Sequence, residues 1–101
     1  MVCEVIWSPF ALQTYLGNIA YLQEEWTEKE VLRFTKAVDR KLDLLSQFPK
    51  VGSPSNKRTG LRKTIVVKRI ILIYRYKPRK NVIELVQFFN TWQSPSKAKR
   101  K

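Results

Sequence analysis

Apolar residues recur along this chain with two different periods. Leu12, Tyr15, Leu16, Ile19 and Leu22 return every three or four residues, the spacing of one helix face, and predict a helix through about residue 23. Ser8-Pro9 supplies its start: the serine side chain can accept a free amide hydrogen, and proline suits the first helical position. A second stripe, Val31, Phe34, Val38, Leu42, Leu45 and Phe48, predicts a longer helix ending before Pro49. Thr27-Glu28-Lys29-Glu30 has the form of a capping box at its start, with only Glu24, Glu25 and Trp26 joining the two helices.

Beyond Gly60 the period falls to two. Three runs rich in β-branched and aromatic residues predict strands over about 62–67, 69–77 and 82–89, with Lys77-Pro78-Arg79-Lys80-Asn81 as the turn between the last two. In the middle run Ile70, Leu72, Tyr74 and Tyr76 share the face expected to meet the helices, while Arg69, Ile71, Ile73, Arg75 and Lys77 share the other. Val2 to Trp7 reads as a further short strand. Lys50 to Gly60 has no period and reads as an exposed loop. The expectation is an α+β domain: an N-terminal strand, a two-helix hairpin and a three-stranded antiparallel meander, with the hairpin on one face of a four-stranded sheet. The pattern does not place the first strand within that sheet.

Composition adds a partner class. The 101 residues suffice for one core, assigned to residues 1–92, with 93–101 as a basic, flexible tail. The formal charge is +12, unevenly spread: residues 1–49 carry 5 basic and 7 acidic side chains, whereas 50–101 carry 15 basic and 1 acidic. A half at +14 attracts phosphate backbones or an acidic protein, through contacts that weaken with salt. Cys3 is the sole cysteine, and no run is apolar enough to cross a membrane or form a signal peptide, which together point to the cytoplasm. No metal cluster, glycine-rich phosphate loop, nucleophile triad or cofactor motif is present.

The candidate functional residues are therefore cations and aromatics. Arg62, Arg69, Arg75 and Lys77 either contact a partner or phosphate, or line a solvated sheet face, and Arg62 could pair with Glu84 across the sheet. Trp7 and Cys3 read as packing residues, Trp26 as packing at the helix connection, and Trp92 as a candidate for a binding surface.

The order of these elements, with Trp7-Ser8-Pro9 opening the first helix, Phe48-Pro49-Lys50-Val51-Gly52 closing the second, Leu61-Arg62 before the sheet and Tyr74-Arg75 in its middle strand, resembles the RelE/ParE toxin superfamily over nearly the whole chain. The ending from Ile83 through Phe88-Phe89 to Gln93-Ser94-Pro95 resembles one branch of it. The resemblance implies the toxin of a bacterial type II toxin–antitoxin pair, without a cofactor, held by an acidic antitoxin in a hetero-oligomer. RelE-like members cleave messenger RNA on the ribosome; ParE-like members bind DNA gyrase. In the ribonucleases a basic residue commonly sits three positions before the tyrosine of the middle strand, where this chain has Ile71, and an arginine often follows the aromatic pair, where it has Trp92. Histidine is absent. These departures favour the ParE-like reading. A ribonuclease would rely on Arg62, Arg69 and Arg75 for phosphate, with Tyr74 or Glu84 carrying the proton; a third alternative is a toxin that only engages its antitoxin and operator DNA.

Overall fold

The computed structural model describes residues 2–54, 60–67 and 69–91. The elements run β1 (Glu4–Trp7), α1 (Pro9–Glu25), α2 (Glu28–Gln47), β2 (Ser53–Pro54), β3 (Leu61–Val67), β4 (Ile70–Lys77) and β5 (Val82–Asn90). They form one five-stranded sheet in the order β1-β5-β4-β3-β2. The meander β3-β4-β5 is antiparallel as expected, and β1 joins it at the edge, parallel to β5, with Glu4 opposite Val82 and Trp7 opposite Leu85. The fifth strand arises inside the expected loop, where Ser53 and Pro54 pair with Lys63 and Arg62. A two-residue edge strand carrying proline has little capacity to recruit another chain.

Both helices lie on one face, over a core built around Phe34, Val38, Leu45, Leu72, Tyr74, Ile83 and Phe88. Trp7 stacks on Phe88 at 5.6 Å and meets Tyr15 edge-on at 5.1 Å, so it is the packing residue the sequence indicated. Cys3 is buried, and its thiol donates to Asn81 Oδ1 at 3.1 Å. Asn81 takes a left-handed backbone (φ 56°) to close the β4–β5 turn, and its carbonyl accepts from the Glu4 amide at 3.1 Å, docking the start of β1.

The two helix starts differ. Ser8 caps α1, its hydroxyl accepting from Ala11 N–H at 3.0 Å with Pro9 following. Thr27 occupies the N-cap position of α2, yet its side chain makes no capping bond, and Glu30 reaches forward to Arg33 at 3.7 Å instead. The capping box is thus not formed; the pairing within the helix takes the glutamate. Phe48 also leaves the expected stripe, because α2 ends at Gln47 and the non-helical Phe48 turns its ring to solvent.

The buried line of α1 is Ala11, Tyr15, Asn18 and Leu22, while Leu12 and Leu16 face outward. The reason lies in β5. With β1 ending at Trp7, the N–H and C=O of Phe88 have no strand beside them, and α1 supplies the partners: Phe88 N–H donates to Thr14 Oγ1 at 2.9 Å, and Asn18 Nδ2 donates to Phe88 O at 3.1 Å. Satisfying a buried backbone outweighs burying one more leucine edge. At the same place β5 bulges: Leu85 pairs with Tyr74 and Gln87 with Ile73, leaving Val86 extra. The bulge switches the parity of the strand, so Ile83 and Leu85 point inward before it and Phe88 after it.

Candidate docking face on the uncovered side of the sheet

The face opposite the helices is composed of cross-strand rows fixed by register. Leu61, Arg75, Glu84 and Ile6 form one row; Lys63, Ile73 and Gln87 the next; Ile65, Ile71 and Phe89 the third. Among the described residues no element covers these rows: Ile65 is 60% exposed, and Ile71, Ile73 and Phe89 are half-buried. Lys63, Arg75 and Lys77 flank the apolar centre. Lys77 Nζ lies 3.6 Å from Glu84 Oε1, and Arg75 stands directly opposite the same glutamate. Glu84 thus sits beside two cations, one in contact and one across the strand pair.

Other candidates from the sequence lie elsewhere. Arg62 is on the helix-side face, opposite Tyr74, and its guanidinium donates to Gly52 O at 2.6 Å and Lys50 O at 3.2 Å. It clamps the segment before β2, and its Glu84 pairing does not occur because the two side chains leave opposite faces. Tyr74 is fully buried; its hydroxyl donates to Pro49 O at 2.8 Å and accepts from Gly52 N–H at 3.0 Å. Burial raises its pKa above the usual phenol value, against smaller lowering by the Gly52 hydrogen bond and the Arg62 charge. Tyr74 is therefore a strut.

Arg69 precedes β4, in the turn where Val67 pairs with Ile70. It lines a cleft with Leu22, Trp26, Phe34 and Ile70 at the tip of the helical hairpin, about 20 Å along the strand from Arg75, so one small anion cannot bridge the two arginines. Trp26 lines this cleft too, while remaining 43% exposed. Trp92 and the basic tail lie outside the described residues.

Two features of the face escaped the sequence reading. One is its apolar centre, which follows from pairing Ile65 with Ile71 and Ile71 with Phe89, a register the sequence does not print. The other is an open depression of about 470 Å³ beside β2, lined by Lys41 of α2 with Lys63, Thr64 and Ile65 of β3. Among the described residues β2 pairs only with Arg62 and Lys63, and no other strand pairs with that edge of β3 alongside this depression. An acidic extended segment fits both its hydrogen-bonding edge and its two lysines.

Among the described residues no cluster of side chains could hold a metal ion, and no helix is long and apolar enough to cross a membrane.

Comparison with known proteins agrees with this architecture. The family model for the ParE toxin of the type II toxin–antitoxin system parDE matches residues 5–94. No curated protein sequence matches the chain. Among solved structures, the chromosomal ParDE toxin–antitoxin system from P. aeruginosa superposes with a TM-score of 0.74 at 15% identity, over 88% of this chain and 96% of that one. The toxin–antitoxin complex RelBE2 from Mycobacterium tuberculosis superposes with a TM-score of 0.62 at 15% identity, over 89% and 99%.

Proposed function

The chain belongs to the ParE toxin family of type II toxin–antitoxin systems, and on that premise we propose that it arrests growth by docking its uncovered sheet face on a protein target, DNA gyrase, rather than by cutting messenger RNA. The observation that carries this reading is the apolar centre of that face. A phosphoryl-transfer site concentrates cations and a proton carrier around the reacting phosphate. Here Ile65, Ile71, Ile73 and Phe89 fill the middle, cations stand at the flanks, Glu84 sits beside Lys77 and Arg75, and Tyr74 is locked in the core. Apolar centre with charged rim is the composition of a protein interface.

An antitoxin is its second partner. The acidic antitoxin segment pairs along the β3 edge beside β2 and places carboxylates on Lys41 and Lys63, where the depression lies. Occupation there crosses to Ile65 and covers the docking face, which accounts for neutralisation by competition.

The test uses purified chain released from its antitoxin. Inhibition of gyrase supercoiling, abolished by Ile65→Glu plus Ile71→Glu in a folded variant, is the expected result. Ribosome-dependent cleavage of messenger RNA that survives those substitutions and is lost with Lys63→Ala plus Arg75→Ala would replace this reading with the ribonuclease one. A folded chain that leaves growth and both assays untouched would make it an antitoxin-binding module.

A further inference from the structure

The two helices of the hairpin treat solvent differently. Most exposed positions of α2 are charged, including Glu28, Lys29, Lys36, Asp39, Arg40 and Asp43, and its exposed Leu32 stands between charged neighbours on adjoining turns. Between Pro9 and Gln23, α1 carries no charged side chain, in a chain whose net charge is +12. Its outward side presents Leu12 at 48% and Leu16 at 54% exposure, with Gln13, Gly17 and Ala20 on the adjoining turns. Gly17 has no internal justification: a Cβ built there meets nothing within 4 Å, and glycine inside a helix is less stable than alanine. A missing side chain at the middle of an uncharged, apolar helix face permits close approach of another backbone.

We propose that this face is where a second copy of the chain associates, two α1 helices crossing at Gly17 about a two-fold axis with Leu12 and Leu16 packed between them. Charge selects that occupant. Two copies at +12 repel overall, most strongly through the sheet side that carries the basic half, and the uncharged side of α1 lets them meet without bringing like charges together. An acidic partner gains nothing at a face without cations and is drawn to Lys41, Lys63 and Arg75 instead. The face runs about 25 Å, the length of α1, and is one helix wide, so the dimer is small and reversible. The inference does not depend on which target the sheet face binds.

Its signature is the sign of the salt dependence. Screening relieves like-charge repulsion, so self-association strengthens as salt rises, whereas capture of an acidic antitoxin weakens. The experiment is sedimentation equilibrium of the full chain at about 0.1 and about 0.5 M salt, between which the screening length falls from about 10 Å to roughly 4 Å. The expected result is a monomer–dimer equilibrium shifted toward dimer at the higher salt. Gly17→Arg, which places a good helix former in open space and so keeps the fold, weakens it at least about tenfold by putting like charges at the crossing point. Ile65→Glu on the sheet leaves the dimer intact. A wild-type chain monomeric at both salts, an association that falls with salt, or one lost with Ile65→Glu and kept with Gly17→Arg would overturn the proposal. So would a Gly17→Arg chain, verified as folded by circular dichroism, that keeps its dimer but no longer captures antitoxin, which would give the face to the antitoxin.

Discussion

The amide of Gly52 donates to the buried hydroxyl of Tyr74 at 3.0 Å, and a Cβ at residue 52 would stand 2.7 Å from that same oxygen and 2.7 Å from the carbonyl of Lys63. The tyrosine of the middle strand and the glycine after α2 are thus one joint. It fixes where the chain turns from helix to β2, and hence where β2 pairs with β3.

Removing the hydroxyl tests the joint. Tyr74→Phe leaves Gly52 N–H and Pro49 O without their partner and should lower stability by about 1–3 kcal/mol. Gly52→Ala should lower it by a similar or larger amount through overlap with backbone at Lys63, which cannot withdraw as a flexible side chain would. Urea unfolding followed by circular dichroism measures both.

The raised pKa of Tyr74 has a pH consequence. The folded state prefers the neutral phenol, chiefly because burial disfavours the phenolate, so this contribution is complete below about pH 10, the unfolded value, and is lost as pH rises through the higher folded value. Tyr15 behaves alike, raised by burial and then by the Asp39 charge. Alkaline titration above pH 10 should unfold the wild type progressively, and Tyr74→Phe should show a shallower decline from its own neutral-pH stability.

The two helix caps provide an internal comparison. Ser8→Ala removes the bond to Ala11 N–H and should destabilise by about 0.5–2 kcal/mol. Thr27→Ala removes no capping bond and should change stability by less than about 0.5 kcal/mol. Equal effects in thermal unfolding would contradict the difference between these N-termini.

Asn18→Leu should be among the more damaging substitutions on α1, lowering stability by about 1–3 kcal/mol although it adds apolar volume, because Phe88 O is then buried without a donor. Native-state hydrogen exchange would register the same change as faster opening of the end of β5.

On the sheet face, Lys63→Glu plus Arg75→Glu should weaken antitoxin capture by at least about tenfold, and Lys97→Glu plus Lys99→Glu by much less, since strand cations are held in place by backbone pairing. Fluorescence anisotropy against a labelled antitoxin peptide, repeated at rising salt, distinguishes the two pairs.

The sequence by itself determined the elements that rest on local physics. Ser8-Pro9 starts α1, Pro49 bars continuation of α2, alternation in Ile70, Leu72 and Tyr74 names the buried side of β4, and the charge imbalance points to an anionic partner class, phosphate or acidic protein. Each is decided by residues within a turn or two of one another, or by a sum over the chain.

Tertiary structure alone decided the rest. That β1 lies parallel at the edge beside β5 depends on residues nearly eighty positions away. That α1 buries Asn18 and exposes Leu16 depends on an unpaired carbonyl at Phe88 that exists only because β1 stops at Trp7. Arg62 became a clamp because the segment before β2 brought two carbonyls to it, and the apolar centre of the docking face exists because register brought Ile65, Ile71 and Phe89 into one row. Periodicity states which way a side chain points relative to its neighbours in the chain. What waits there is set by backbone groups and strand registers contributed from elsewhere, and a single extra residue such as Val86 in β5 reverses the count.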